Sequence, residues 1–93
     1  MKPMNFLSDF LREKRIEASL SQMDVAKKLG YTSAQFVSNW ERGLSNPPIA
    51  TLRRLSEIYR IPPDDLYEII LKTMITQVTQ ELHKKFFGRR KRG

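Results

Sequence analysis

Ninety-three residues, 40% of them hydrophobic and none of them cysteine, fit one domain around one apolar core and exclude a disulfide framework, a thiolate zinc site and a cysteine nucleophile. The net charge of +7 is unevenly placed: residues 1–83 hold 11 basic and 10 acidic side chains, whereas residues 84–93 hold six basic and no acidic ones. A single histidine, His83, cannot supply a paired-imidazole metal site, and no glycine-rich phosphate loop follows a strand, so the composition points away from an enzyme and from any cofactor.

The first predicted element is an amphipathic helix from Phe6 to Ala18, with Phe6, Leu7, Phe10, Leu11, Ile16 and Ala18 on its apolar side. Ser21 stands at an N-cap position with Asp24 three residues on, the spacing of a capping box. A second helix, Gln22 to Leu29, buries Val25, Ala26 and Leu29 and ends at Gly30, which accepts positive φ without a Cβ penalty. After a turn of about four residues, Thr32 or Ser33 caps a third helix that turns Val37 and Trp40 inward and stops at Gly43.

Asn46, Pro47 and Pro48 form a loop, and Ile49, Leu52, Leu55, Ile58 and Tyr59 mark a fourth helix that Ile61, Pro62 and Pro63 break. From Asp64 to Phe87 there is no glycine or proline. Leu66, Ile70, Met74, Val78, Leu82 and Phe86 recur every fourth residue, which predicts one long helix or two collinear ones; the β-branched density of Thr73 to Thr79 leaves a strand open there. No stretch approaches a membrane span, and Ser8 and Asp9 interrupt the start before a signal-peptide core can form, so the expected location is the cytoplasm.

These residues resemble the Cro-like phage-repressor family of helix-turn-helix proteins, also named for the xenobiotic response element. The resemblance is carried by Leu11, Arg12 and Arg15, by Leu20-Ser21-Gln22, by Ala26 through Leu29-Gly30, and by Ser38-Asn39-Trp40-Glu41-Arg42-Gly43. Pro47, Pro48, Leu52, Leu55 and Ile61 to Leu66 continue it, so that it spans roughly residues 6 to 70. It departs from the commonest family form by one extra residue within Tyr31-Thr32-Ser33, and by Leu44-Ser45-Asn46 where lysines are common.

The resemblance implies an all-α, five-helix, lambda-repressor-like DNA-binding domain whose last helix is extended. It implies sequence-specific binding of double-stranded DNA by a transcriptional regulator, with the third helix in the major groove and its first turn at Ser33, Ala34 and Gln35. Gln35 and Asn39 suit bidentate bonds to adenine, Ser33 and Ser38 are adaptable contacts, and Ala34 suits a thymine methyl. Gln22, Arg42, Ser45 and Asn46 are the expected phosphate contacts, joined by Arg89, Arg90, Lys91 and Arg92. Gln35 has a second reading as the end of a capping box from Thr32, and Phe36 is either a core edge or an apolar contact to DNA. Arg15 and Glu41 resemble the family's structural pair, and Arg53 and Arg54 read as a solvated face.

The expected division is a DNA-binding domain over residues 1–71, a helical extension over 72–87 and a basic tail over 88–93, with Gly88 ending the helix. Ile70, Leu71, Met74, Ile75, Val78, Leu82 and Phe86 surround more of the last helix than a small domain can cover, which predicts a homodimer. The tail is expected to add affinity without specificity at the nucleoid; Phe86 and Phe87 give too little insertion energy for a membrane anchor. Two other functions stay open: a nonspecific nucleic-acid or nucleoid binder led by the tail, and a protein-interaction module that keeps the fold.

Overall fold

A computed structural model describes residues 5–88 and contains, among them, five α-helices and no strand: α1 (Phe6–Glu17), α2 (Gln22–Leu29), α3 (Gln35–Glu41), α4 (Ile49–Ile58) and α5 (Pro63–Phe87). The all-α expectation holds. Ile16, predicted on the apolar face of α1, is 50% exposed, because Leu7 and Leu11 define the buried stripe and Ile16 lies off it.

Each helix start and stop has a local cause. Asn5 caps α1 through its Oδ1, which accepts the Ser8 N–H at 2.9 Å. The capping box of α2 is formed, with the Asp24 N–H donating to Ser21 Oγ and the Ser21 N–H donating to Asp24 Oδ2, each at 2.9 Å. Hydrogen bonding from Ser21 to the carboxyl, by its backbone N–H first and its hydroxyl second, holds Asp24 below its ordinary range. Helices α1 to α4 all end in the same way, with a residue of positive φ (Ser19, Gly30, Gly43 and Arg60) and a bond from the next N–H back across the last turn, as from Leu44 to the Asn39 carbonyl at 2.9 Å. Gly43 has a second reason to lack a side chain, since a Cβ there would lie 3.4 Å from Asn5 Nδ2.

The core joins Leu7 and Leu11 of α1, Val25 and Ala26 of α2, Val37 and Trp40 of α3, and Leu52 and Leu55 of α4 with Tyr59, Ile61 and Leu66. Burial of side chains of this size stabilises a fold by about 1.5–3 kcal/mol each. Arg54, expected in solvent, donates from Nη2 to the Lys28 carbonyl at 2.7 Å and so ties α4 to the end of α2.

Helix α5 is continuous, and the strand alternative for residues 73–79 does not form. Thr73 is 1% exposed, and its Oγ1 accepts the Leu7 N–H at 2.9 Å, satisfying a donor at the start of α1 that no helical carbonyl can reach. That tertiary bond overrides the β preference of the segment. The expected boundary between residues 71 and 72 therefore falls inside a helix that is still docked one residue later. A spacing of four also advances a helix by about 400°, so the stripe that begins on the core at Leu66 drifts about 40° with each step. By Val78, 65% exposed, and Leu82, 63% exposed, it has left the core. Gly88 follows the last turn with right-handed angles, φ −65° and ψ −20°, not the left-handed cap that glycine permits.

Candidate nucleic-acid interface

The third helix is fixed from behind by a charged cluster. Arg15 of α1 donates to both carboxylate oxygens of Glu41, from Nε to Oε2 at 2.7 Å and from Nη2 to Oε1 at 3.0 Å, and its Nη1 donates to the Leu20 carbonyl at 2.9 Å. Gln22, at the first position of α2, adds a fourth bond from Nε2 to Glu41 Oε1 at 3.0 Å. Three helices thus meet at one carboxylate that is almost wholly buried. The hydrogen bonds to Glu41 hold the Arg15 guanidinium above its ordinary range. Arg15 and Glu41, the expected structural pair, are in direct contact.

Against this support α3 turns a polar face outward. Its first residue is Gln35 and its N-cap is Ala34, one position later than a cap at Ser33 and two later than a cap at Thr32. Neither acts as the cap: the Ser33 hydroxyl accepts the Gln35 N–H at 3.3 Å, a turn bond before the helix, and the capping box from Thr32 to Gln35 does not form. The turn from α2 to α3 accordingly runs five residues, Gly30 to Ala34, which is how the chain absorbs the extra residue near Tyr31.

Gln35 instead donates from Nε2 to Asn39 Oδ1 at 3.0 Å, one helical turn on. The two amides form a pair in which Gln35 Oε1 and Asn39 Nδ2, an acceptor and a donor, bond to no other described residue, Gln35 being exposed and Asn39 half-buried. Ser38 and Ala34 flank the pair half-buried, and Arg42 is exposed beyond it, as are Ser45 and Asn46 in the loop that follows. Phe36 lies at the edge of the core: its ring is 5.0 Å from Tyr31 and 6.3 Å from Trp40, and the residue is 53% exposed.

A helix-turn-helix family profile matches residues 11–66, well over half of the chain. The chain belongs to the Cro/C1-type helix-turn-helix family. Comparison with curated proteins and with solved structures returned no match to either. Cro/C1-type helix-turn-helix proteins are DNA-binding transcription regulators and generally not enzymes, so the polar face of α3 belongs to a DNA-binding domain. The matched span ends at Leu66, and most of α5 lies beyond it.

Within this helix-turn-helix the predicted site residues separate into groups. Gln35, Ser38 and Asn39 lie on one side of α3, with Ala34 as its N-cap and Ser33 just before it. Gln22 is committed by one N–H to Glu41, so the phosphate contact expected of it falls to the remaining hydrogen of that amide. Sequence reasoning had no signal for this bond, because Gln22 and Glu41 are 19 residues apart and only the packing of α2 against α3 brings them together. Arg89, Arg90, Lys91 and Arg92 lie outside the described residues. Among the described residues no cluster of His, Cys, Asp or Glu could hold a metal ion, and no helix is long and apolar enough to cross a membrane.

The same cluster makes the fold sensitive to alkali. Burial first, and the negative charge of Glu41 second, push the Tyr59 phenol far above its ordinary value, with Arg15 opposing them weakly. The folded state then holds this proton more tightly than the unfolded chain, whose tyrosine titrates near pH 10. The contribution is complete below about pH 10 and is lost as pH rises beyond it. The urea midpoint should therefore fall above about pH 10 in the wild type and fall less steeply in Tyr59→Phe; parallel curves would remove Tyr59 as the cause.

Proposed function

We propose that the protein is a sequence-specific regulator that reads double-stranded DNA through the start of α3. The observation that carries this reading is the Gln35–Asn39 amide pair, held at 3.0 Å on the face opposite Val37 and Trp40. An amide offers an acceptor and a donor side by side, the pattern that the major-groove edge of adenine complements. Ser33, Ala34 and Ser38 complete the reading surface, and Arg42, Ser45, Asn46 and the second N–H of Gln22 go to phosphates on either side. The Arg15–Glu41–Gln22 cluster contributes no sequence information; it sets the angle at which α3 is presented.

Replacing Gln35 or Asn39 by alanine should cost about 1–3 kcal/mol on the preferred duplex and relax preference at one base pair. Quantitative gel retardation on preferred and random duplexes distinguishes the roles. Equal losses on both would make the side chain a backbone contact and contradict base reading.

A further inference from the structure

We infer that two copies of this chain associate through an antiparallel pairing of α5 in which the C-terminal half of each helix covers the groove between α4 and α5 of the other. Helix α5 has two apolar faces. Leu66, Ile70 and Thr73 face the core, whereas Tyr67, Leu71, Met74, Ile75, Val78 and Leu82, all between 43% and 65% exposed, follow one another around the other side at spacings of three and four. The second face opens directly into the groove, a depression of about 440 Å³ with Ile49, Leu52, Pro63, Tyr67, Leu71 and Met74 among its walls. An apolar surface this continuous is characteristic of an interface.

Charge along the same helix selects the occupant and its direction. The first turns of α5 carry Asp64, Asp65 and Glu68, and the last carry Lys84 and Lys85. A parallel pair would set acid against acid at one end and lysine against lysine at the other. An antiparallel pair sets each acidic start beside a basic end, so a second copy is complementary to the first in this orientation alone.

The sequence also fixes a register. Centred between Met74 and Ile75, the antiparallel arrangement opposes Met74 with Ile75, Leu71 with Val78, Tyr67 with Leu82 and Asp64 with Lys85, so apolar residues meet apolar residues and the charged pair closes each end. In this register the second copy's Val78 and Leu82 lie at the mouth of the groove beside Leu71 and Tyr67. Among the described residues Lys85 is paired by a long, exposed contact to Glu81 at 3.7 Å, which leaves its charge available across the interface. The pairing goes beyond the DNA reading and does not depend on it.

Cysteine cross-linking of the full-length protein without DNA tests both pairing and register, because the wild-type chain has no cysteine. Met74→Cys lies next to the two-fold axis and should form a disulfide-linked dimer on mild oxidation. Leu82→Cys alone should not, since a rise of 1.5 Å per residue places it about 22 Å along the axis from its copy, whereas a disulfide needs Cα atoms within about 7 Å. Tyr67→Cys combined with Leu82→Cys should cross-link again. Lys85→Asp should raise the dimer dissociation constant several-fold, and Asp64→Lys in the same chain should restore it. Circular dichroism should stay at the wild-type value throughout, as all these side chains are exposed. Self-linkage of Leu82→Cys as efficient as that of Met74→Cys would overturn the antiparallel register, and a wild-type monomer by sedimentation at tens of micromolar would overturn the pairing itself.

Discussion

Glu41→Ala is expected to destabilise the fold by about 3–5 kcal/mol, the cost of leaving one member of a buried ion pair without its partner. Glu41 is 5% exposed and accepts three hydrogen bonds, two from Arg15 and one from Gln22. Removing it strands a guanidinium whose side chain is 13% exposed, together with an amide N–H, and neither can turn fully to water without disturbing α1 or α2. Against a total of about 5–15 kcal/mol for a domain of ordinary stability, this brings the protein close to unfolding. Glu41→Gln keeps the shape and an acceptor for Arg15, so its loss should be smaller. Arg15→Met combined with Glu41→Leu removes both charges at once and should cost less than Glu41→Ala alone, because the penalty lies in the unpaired charge and not in the absence of the pair. Urea unfolding followed by circular dichroism measures all three; a double variant less stable than Glu41→Ala would show that the cluster stabilises by attraction.

Removing residues 89–93 should weaken binding to preferred and random duplexes by similar factors and flatten the dependence of log affinity on log salt by between about one and four units. The segment contributes Arg89, Arg90, Lys91 and Arg92, four of the six basic side chains beyond His83. Each phosphate that such a cation neutralises releases condensed counterions, about 0.9 of an ion per contact on duplex DNA. Since phosphates are alike at every base pair, affinity gained in this way carries no sequence preference. Titrations at several salt concentrations read the slope directly. An unchanged slope would take these residues out of the DNA interface and leave them as a solubility segment.

Much of this architecture is legible in the sequence, and for local reasons. The capping box at Ser21 and Asp24, the glycine stops at Gly30 and Gly43, and the proline breaks before α4 and α5 are each fixed by residues within four positions of one another, so they survive into the structure as read. What the sequence leaves open is decided where a distant residue supplies a bond. Thr73 reads as a β-branched residue in an ambiguous segment, and only the docking of α1 turns it into the acceptor of the Leu7 N–H. Arg54 is exposed as read, and the packing of α4 on α2 adds its bond to the Lys28 carbonyl. The start of α3 was misplaced because Thr32 and Ser33 are both good caps on propensity, while the extra residue in the turn carries them past the helix. On α5 the apolar residues surround the helix as read, because a repeat of four drifts and places its two ends on different faces. Among the site residues, Gln35 and Asn39 were visible as a pair because their spacing of four is itself helical.

The deciding property of this protein is whether α3 distinguishes sequences. The most direct measurement selects bound fragments from random duplex DNA and then compares the selected site with an unselected duplex at one stated salt concentration. The account predicts a site with two-fold pseudo-symmetry, half-sites about one helical turn apart or a multiple of it, and a preference of about 10³ or more over random sequence. A preference near one, with no sequence enriched, would contradict it.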